Sequence, residues 1–139
     1  MLLAGDIGGT KTLLGLFEPA AGRPRAIGSQ AFTTLHYRNL SSILDEFIGT
    51  LAVEQRAIDG VCFGVAGPVI ADTAQLTNVP WTVQAREIAG QFGFRRVDLL
   101  NDLQAMAYGV PDLHESELHV LQGGTPVGRV PHELPLLAL

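Results

Sequence analysis

Cysteine, lysine and tryptophan each occur once in this 139-residue chain, and charged residues of either sign make up only 17% of it. The single cysteine, Cys62, excludes an internal disulfide framework and a cysteine-built zinc cluster. Its place in the apolar run Val61-Cys62-Phe63 predicts a buried structural thiol. Lys11 is the one lysine and the remaining basic residues are arginines; a net charge of −5 lacks the basic excess that nucleic-acid partners require. No stretch approaches the ~18 consecutive apolar residues of a membrane helix. Only residues 1–4 are apolar before Gly5-Asp6, with no basic region ahead of them, so no signal peptide is expected. The expectation is a cytoplasmic protein with neither nucleic acid nor membrane as partner.

What is present is apolar. Hydrophobic residues are 47% of the chain, whereas an average domain carries ~25% charged residues, so a disordered chain is excluded. The 16 glycines and 8 prolines follow no period, which excludes collagen-like and low-complexity architectures. The length suits one domain burying about two-thirds of its unfolded surface. The apolar excess predicts a surface meant for a partner, or for a further part of the same protein.

Residues 2–4, 12–17 and 26–33 read as three strands separated by glycine- and proline-rich turns. The period then changes. Leu40, Ile43, Leu44, Phe47, Ile48 and Leu51 trace one face of a helix that Asn39 or Ser41 can cap, with Asp45 and Glu46 early enough to meet its dipole. Residues 61–65 form a short buried strand closed by Gly67-Pro68. Thr82 is a candidate cap for a helix running to Phe92 with Gly93 beyond its end. Residues 97–100 are another buried strand, and Leu103, Met106, Ala107 and Val110 mark a further helical face. Gly123-Gly124-Thr125-Pro126 is turn chemistry, and residues 134–139 read as a strand cut off from its continuation. The order βββαβαβα predicts an α/β fold, a mixed sheet flanked by helices.

Three segments carry candidate chemistry. The run GDIGGTKT (residues 5–12) fits a P-loop at Gly5, Lys11 and Thr12 but has Thr10 where the second glycine belongs, and no helix follows to suit a dinucleotide fingerprint. It fits a β-hairpin whose tight turn holds Asp6, Gly8, Gly9 and Thr10. Adjacent glycines then let backbone N–H groups converge on an anion, a nest-like site, while Asp6 holds Mg2+ through water; the alternative is an ordinary glycine-rich turn. Asn101-Asp102 follows the strand 97–100, at the carboxyl end where open α/β sheets place ligands. Asp102 could take a proton from a substrate hydroxyl, and Asn101 could contact a polyol; the competing role for Asp102 is a helix N-cap. The third segment, residues 64–68 and 76–81, places Asn78 beside Trp81, as suits a sugar or a turn whose Trp81 caps the core.

Taken in order, GDIGGTKT, GVAGPV, LTNVPW and LLNDLQAMAYG resemble the bacterial glucokinases, of the sugar-kinase group often called ROK, within the actin–hexokinase–heat-shock ATPase superfamily. The resemblance covers almost the whole chain. It implies a ribonuclease-H-like (actin-like ATPase) lobe over residues 1–139, the N-terminal lobe of a two-lobed kinase. It implies ATP- and Mg2+-dependent phosphorylation of glucose at the 6-hydroxyl, the first step of glycolysis, in full-length relatives that are homo-oligomers. Asp102 matches the catalytic base and Asn101 a sugar-contacting residue. Asp6, Gly8, Gly9 and Thr10 match the first phosphate loop, with Lys11 adding charge nearby. Asn78 and Trp81 fall in a segment bordering the sugar cleft. The second phosphate loop, the adenosine pocket and the remaining sugar ligands have no counterpart here; His114, His119 and His132 are expected at the surface, and His36 has no assigned partner. The 139 residues alone are therefore expected to be inactive. The alternatives are a sugar-binding regulatory relative, although no DNA-binding segment precedes the glycine loop, or a non-catalytic remnant.

Overall fold

The computed structural model describes residues 1–51 and 57–119. The expected strand at 134–139, the turn at 123–126 and His132 lie outside the described residues. β1 (Leu2–Ile7), β2 (Lys11–Glu18) and β3 (Arg25–Thr33) form an antiparallel meander. β4 (Gly60–Val65) and β8 (Val97–Asn101) extend it in parallel, giving a five-stranded sheet of order β3-β2-β1-β4-β8. This is the mixed sheet that the pattern of periods predicts. β1 runs three residues further than its apolar start suggests, because β2 and β4 pair with it on both sides through Ile7. Asp6 therefore lies in a strand, opposite Leu13 and Gly64, and not in the turn where the sequence reading puts it.

The helix α1 (Leu40–Thr50) buries Leu40, Ile43, Leu44, Phe47 and Ile48, as its period predicts. Asn39 caps it: Oδ1 accepts from the Ser42 N–H at 3.0 Å and from the Ser42 hydroxyl at 2.8 Å. Asp45 and Glu46 lie beyond the first turn, out of reach of its free N–H groups; Glu46 instead accepts the Tyr37 hydroxyl at 2.9 Å. The helix α2 (Ala85–Phe92) ends at Gly93, whose φ of 67° is the left-handed conformation expected there. Its start departs from expectation. Thr82 does not cap it but opens the strand β7, and the Asp72 carbonyl accepts the Ala85 N–H at 3.0 Å.

The strand β7 (Thr82–Gln84) belongs to a small antiparallel sheet with β5 (Val69–Ile70) and β6 (Thr73–Gln75), in a stretch the sequence reads as loop. Strands of two and three residues are too short to show a period of two. Ala71 and Asp72, both at positive φ, make the two-residue turn between β5 and β6.

The large sheet has unlike faces. Alternation sends Leu3, Ile7, Leu14, Leu16, Val61, Phe63, Val65 and Leu99 to one side, where they pack with α1 and α2 into a core that includes Trp81. The opposite side carries Leu2, Ala4, Asp6, Leu13, Cys62 and Asp98, and among the described residues is crossed by α3 (Asp102–Gly109) and bordered by the segment 110–113 that follows it. A Cβ on Gly64 would stand 3.1 Å from the Ala105 Cβ, so the missing side chain is what lets α3 lie this close. Yet α3 buries none of its side chains: Leu103 and Met106 are 71% and 69% exposed, so the apolar stripe read from the sequence has no cover among the described residues. Cys62 is half-buried on this side and not in the core; burial, and secondarily Asp98 beside it in β8, push its thiol pKa up.

Candidate functional site

β1, β4 and β8 are parallel neighbours, so their carboxyl ends share one edge of the sheet: Ile7 pairs with Val65, and Val65 with Asn101. The three loops leaving that edge are the three segments that carry candidate chemistry in the sequence. A hydrogen bond from the Ala66 N–H to the Ile7 carbonyl (3.0 Å) continues the ladder past β1 and aligns the first two loops.

In the first loop the Gly8 N–H donates to the Lys11 carbonyl at 3.0 Å, closing a tight turn. Neither Gly8 nor Gly9 adopts a positive φ, so the turn lacks the alternating handedness of a nest. Its glycines answer to close approach. A Cβ on Gly8 would meet the Lys11 carbonyl oxygen at 2.8 Å, and one on Gly9 would meet the Asn78 Cβ at 2.6 Å. The second contact joins the glycine loop to the segment 76–81, where Asn78 is exposed. That segment is fixed by the Thr77 N–H and hydroxyl, which both donate to the Ala66 carbonyl at 3.2 and 3.0 Å. Trp81 is 6% exposed and belongs to the core, so its ring is not offered to a ligand. Thr10 and Lys11 are exposed, and Lys11 projects from the same side of β2 as Leu13, the partner of Asp6.

At the end of β8, Asn101 is the N-cap of α3 and Asp102 its first residue, so the capping role weighed for Asp102 falls to its neighbour. The Asn101 Oδ1 accepts the Leu103 N–H at 3.1 Å, and its Nδ2 donates to the Gly67 carbonyl at 3.0 Å. One side chain thus fastens the second loop to the third. Gly67 is obligatory for its own reason, since a Cβ there would run into the Gln75 carbonyl. The Asp102 Oδ1 also accepts the Leu103 N–H, at 2.8 Å, leaving Oδ2 free of that bond.

Asp6 and Asp102 line one cavity of about 430 Å³, together with Gly5, Gly64, Ala105 and Met106. Two carboxylates, a glycine turn and a helix N-terminus thus meet at the carboxyl edge, an arrangement suited to a phosphorylated or hydroxylated ligand. Among the described residues no group of three or more His, Cys, Asp or Glu side chains could hold a metal ion, and no helix is long and apolar enough to cross a membrane. His36, His114 and His119 are exposed.

Sequence reasoning missed Thr34 at this edge and weighed Thr12 only as a P-loop residue; the two are the only buried polar side chains among the described residues. Their hydroxyls lie 2.9 Å apart, and Thr34 Oγ1 donates to the Gly8 carbonyl at 2.8 Å. A signal existed for Thr12: it stands two residues before Leu14 and four before Leu16, at a core-facing position of β2 where an apolar residue is the rule.

The glucokinase family profile matches residues 3–134. A glucokinase of Nostoc punctiforme is 33% identical over 132 residues, covering 94% of this chain but 38% of the relative. One of a Synechocystis strain is 35% identical over 128 residues, 86% of this chain and 36% of the relative. The crystal structure of a glucokinase from an Antarctic psychrotroph superposes with a TM-score of 0.76 at 26% identity, over 89% of this chain and 39% of that one. The fold is that of a lobe of the actin-like ATPases, and the chain spans under two-fifths of the length of these relatives. By its sheet order, its carboxyl-edge loops and a profile match over nearly its full length, this chain belongs to the glucokinase family.

Proposed function

We propose that the chain is the N-terminal lobe of a sugar kinase and carries the half of the active site that activates the 6-hydroxyl of glucose. The observation that supports this most directly is the shared cavity of Asp6 and Asp102, with the glycine turn beside it. Asp102 is the general base: Oδ1 is held by the Leu103 N–H, and Oδ2 is left to accept the hydroxyl proton. Asn101 has spent one N–H and one lone pair on the scaffold and keeps one of each for a sugar hydroxyl. Asn78, exposed against Gly9, borders the sugar end of the cleft.

The turn Gly8–Gly9–Thr10, its Gly8 N–H held by the Lys11 carbonyl, would cradle phosphate oxygens, with Lys11 adding a positive charge. The residues fit Mg2+ as an ion that arrives with phosphates and keeps most of its waters, because Asp6 offers one exposed carboxylate and, among the described residues, no protein cage surrounds it. When bound, Mg·ATP supplies the phosphoryl group and offsets charge in its transfer. A cytoplasmic location and self-association of the full-length protein belong to the same reading.

The test joins this chain to the C-terminal portion of the Nostoc punctiforme relative and follows glucose 6-phosphate formation. Asp102→Asn should lower kcat by about 10²–10⁴-fold with little change in the KM for glucose, since Asn keeps the hydrogen bonds but takes no proton. A raised KM with unchanged kcat would confine Asp102 to binding. The 139 residues alone should show no turnover above background, because one phosphate loop cannot hold the donor in line.

A further inference from the structure

We propose that Thr34, seconded by Thr12, is the positioning residue of the glycine turn, and that the amides it aims at an anion are those of Gly9 and Lys11. The proposal rests on the phosphate-loop reading above and names which groups do the work. Both threonines are completely buried, Thr12 on β2 and Thr34 in the short 3-10 turn (Thr34–His36) that follows β3, and neither belongs to the glycine turn itself.

The hydroxyl pair has a fixed direction. A hydroxyl carries one proton, and Thr34 gives its own to the Gly8 carbonyl at 2.8 Å. The 2.9 Å bond between the hydroxyls therefore runs from Thr12 to Thr34. Thr34 holds a second loop carbonyl with its backbone, its N–H donating to the Thr10 oxygen at 3.0 Å. One buried residue thus grips two of the loop's carbonyls from the core side.

Peptide planarity carries the consequence outward. No peptide bond among the described residues is cis, and in a trans peptide the C=O of one residue points opposite to the N–H of the next. Gly8's carbonyl turned toward Thr34 obliges the Gly9 N–H to point away from it, and Thr10's carbonyl does the same for the Lys11 N–H. The Gly9–Thr10 peptide between them has no bond to Thr34, and the Gly8 N–H, in the peptide before them, is spent on the Lys11 carbonyl. Two amides two residues apart, both turned away from Thr34 and on the loop that carries the exposed Lys11 side chain, make a donor set for a phosphate oxygen without the left-handed glycine of a nest.

The experiment titrates the 15N-labelled 139-residue chain with magnesium tripolyphosphate and follows amide shifts. Expected are saturable shifts centred on Gly9 and Lys11, the same affinity in Thr34→Ser, and about five-fold weaker binding in Thr34→Val, the loss of one neutral hydrogen bond. If the wild type responds but Thr34→Val binds as well as it does, or Thr34→Ser is as weak as Thr34→Val, the hydroxyl does not position the loop and the proposal is overturned while the phosphate-loop reading stands. If no loop amide of the wild type responds, the phosphate-loop reading fails and the proposal falls with it. Should Thr34→Val not fold, Thr12→Val takes its place: about two-fold weaker binding supports the relay, and unchanged affinity overturns it.

Discussion

The two faces of the five-stranded sheet are made by alternate residues of the same strands, yet they are finished differently. On one, Leu3, Ile7, Phe63 and Val65 are sealed beneath α1 and α2 to 1% exposure or less. On the other, Leu2 and Leu13 remain 37% and 42% exposed, and α3 crosses without burying a side chain of its own. Alongside it runs an open groove of about 940 Å³ walled by Leu2, Ala4, Phe17, Cys62, Met106 and Val110. The sealed face fixes where the strands end; the open face presents Asp6 and Asp102 at those ends. Stability and chemistry are thus assigned to opposite sides of one sheet.

Matched truncations give the widest contrast. Phe63→Ala empties a fully buried site and should cost about 3–5 kcal/mol, whereas Met106→Ala, on the exposed side of α3, should stay within about 0.5 kcal/mol. Urea midpoints at constant m-value check both, and equal losses would show that α3 is packed after all. Next in size is Gly64→Val, which pushes on Ala105 across a 3.1 Å gap and should cost about 1–3 kcal/mol while displacing the amide resonances of α3. A smaller effect is expected from Leu103→Glu: a stability change within about 0.5 kcal/mol, together with reduced self-association in sedimentation. The smallest concerns Cys62. Because burial raises its pKa, less of it is thiolate at pH 8 than for an ordinary cysteine, so its alkylation rate should keep rising with pH beyond the usual thiol range. Asp98→Asn should bring that profile down slightly.

The sealed face was legible in the sequence, and the open one was not. Leu40, Ile43, Leu44, Phe47 and Ile48 state a period of 3.6 and find the burial it promises, because α1 rests on residues of the same chain. Leu103, Met106 and Val110 state the same period, but a period names a face without naming what covers it. The small sheet of β5, β6 and β7 escaped because its strands are shorter than one alternation can register. At the candidate site the residue types were readable and their placement was not. Asp6 moved from turn to strand once β4 paired beside it, a contact nearly half the chain away. Asn101 surrendered part of its amide to Gly67, a carbonyl no motif would nominate. Thr34 was invisible for the same reason, since its hydrogen bonds run to Thr12 and Gly8, on other elements.

The sheet order also sets a timetable for synthesis. β1 pairs with β2 almost as soon as both exist, but its other edge waits for β4, whose register begins at Leu2 opposite Gly60. At the usual ~5–20 residues per second, the roughly 27 residues from the end of β3 at Thr33 to Gly60 take about 1–5 s on the ribosome. Throughout that interval a three-stranded meander holding Leu3, Ile7, Leu14 and Leu16 presents an unpaired strand edge to its surroundings. The chain is therefore most vulnerable to aggregation during its own translation, before β4 emerges to close that edge.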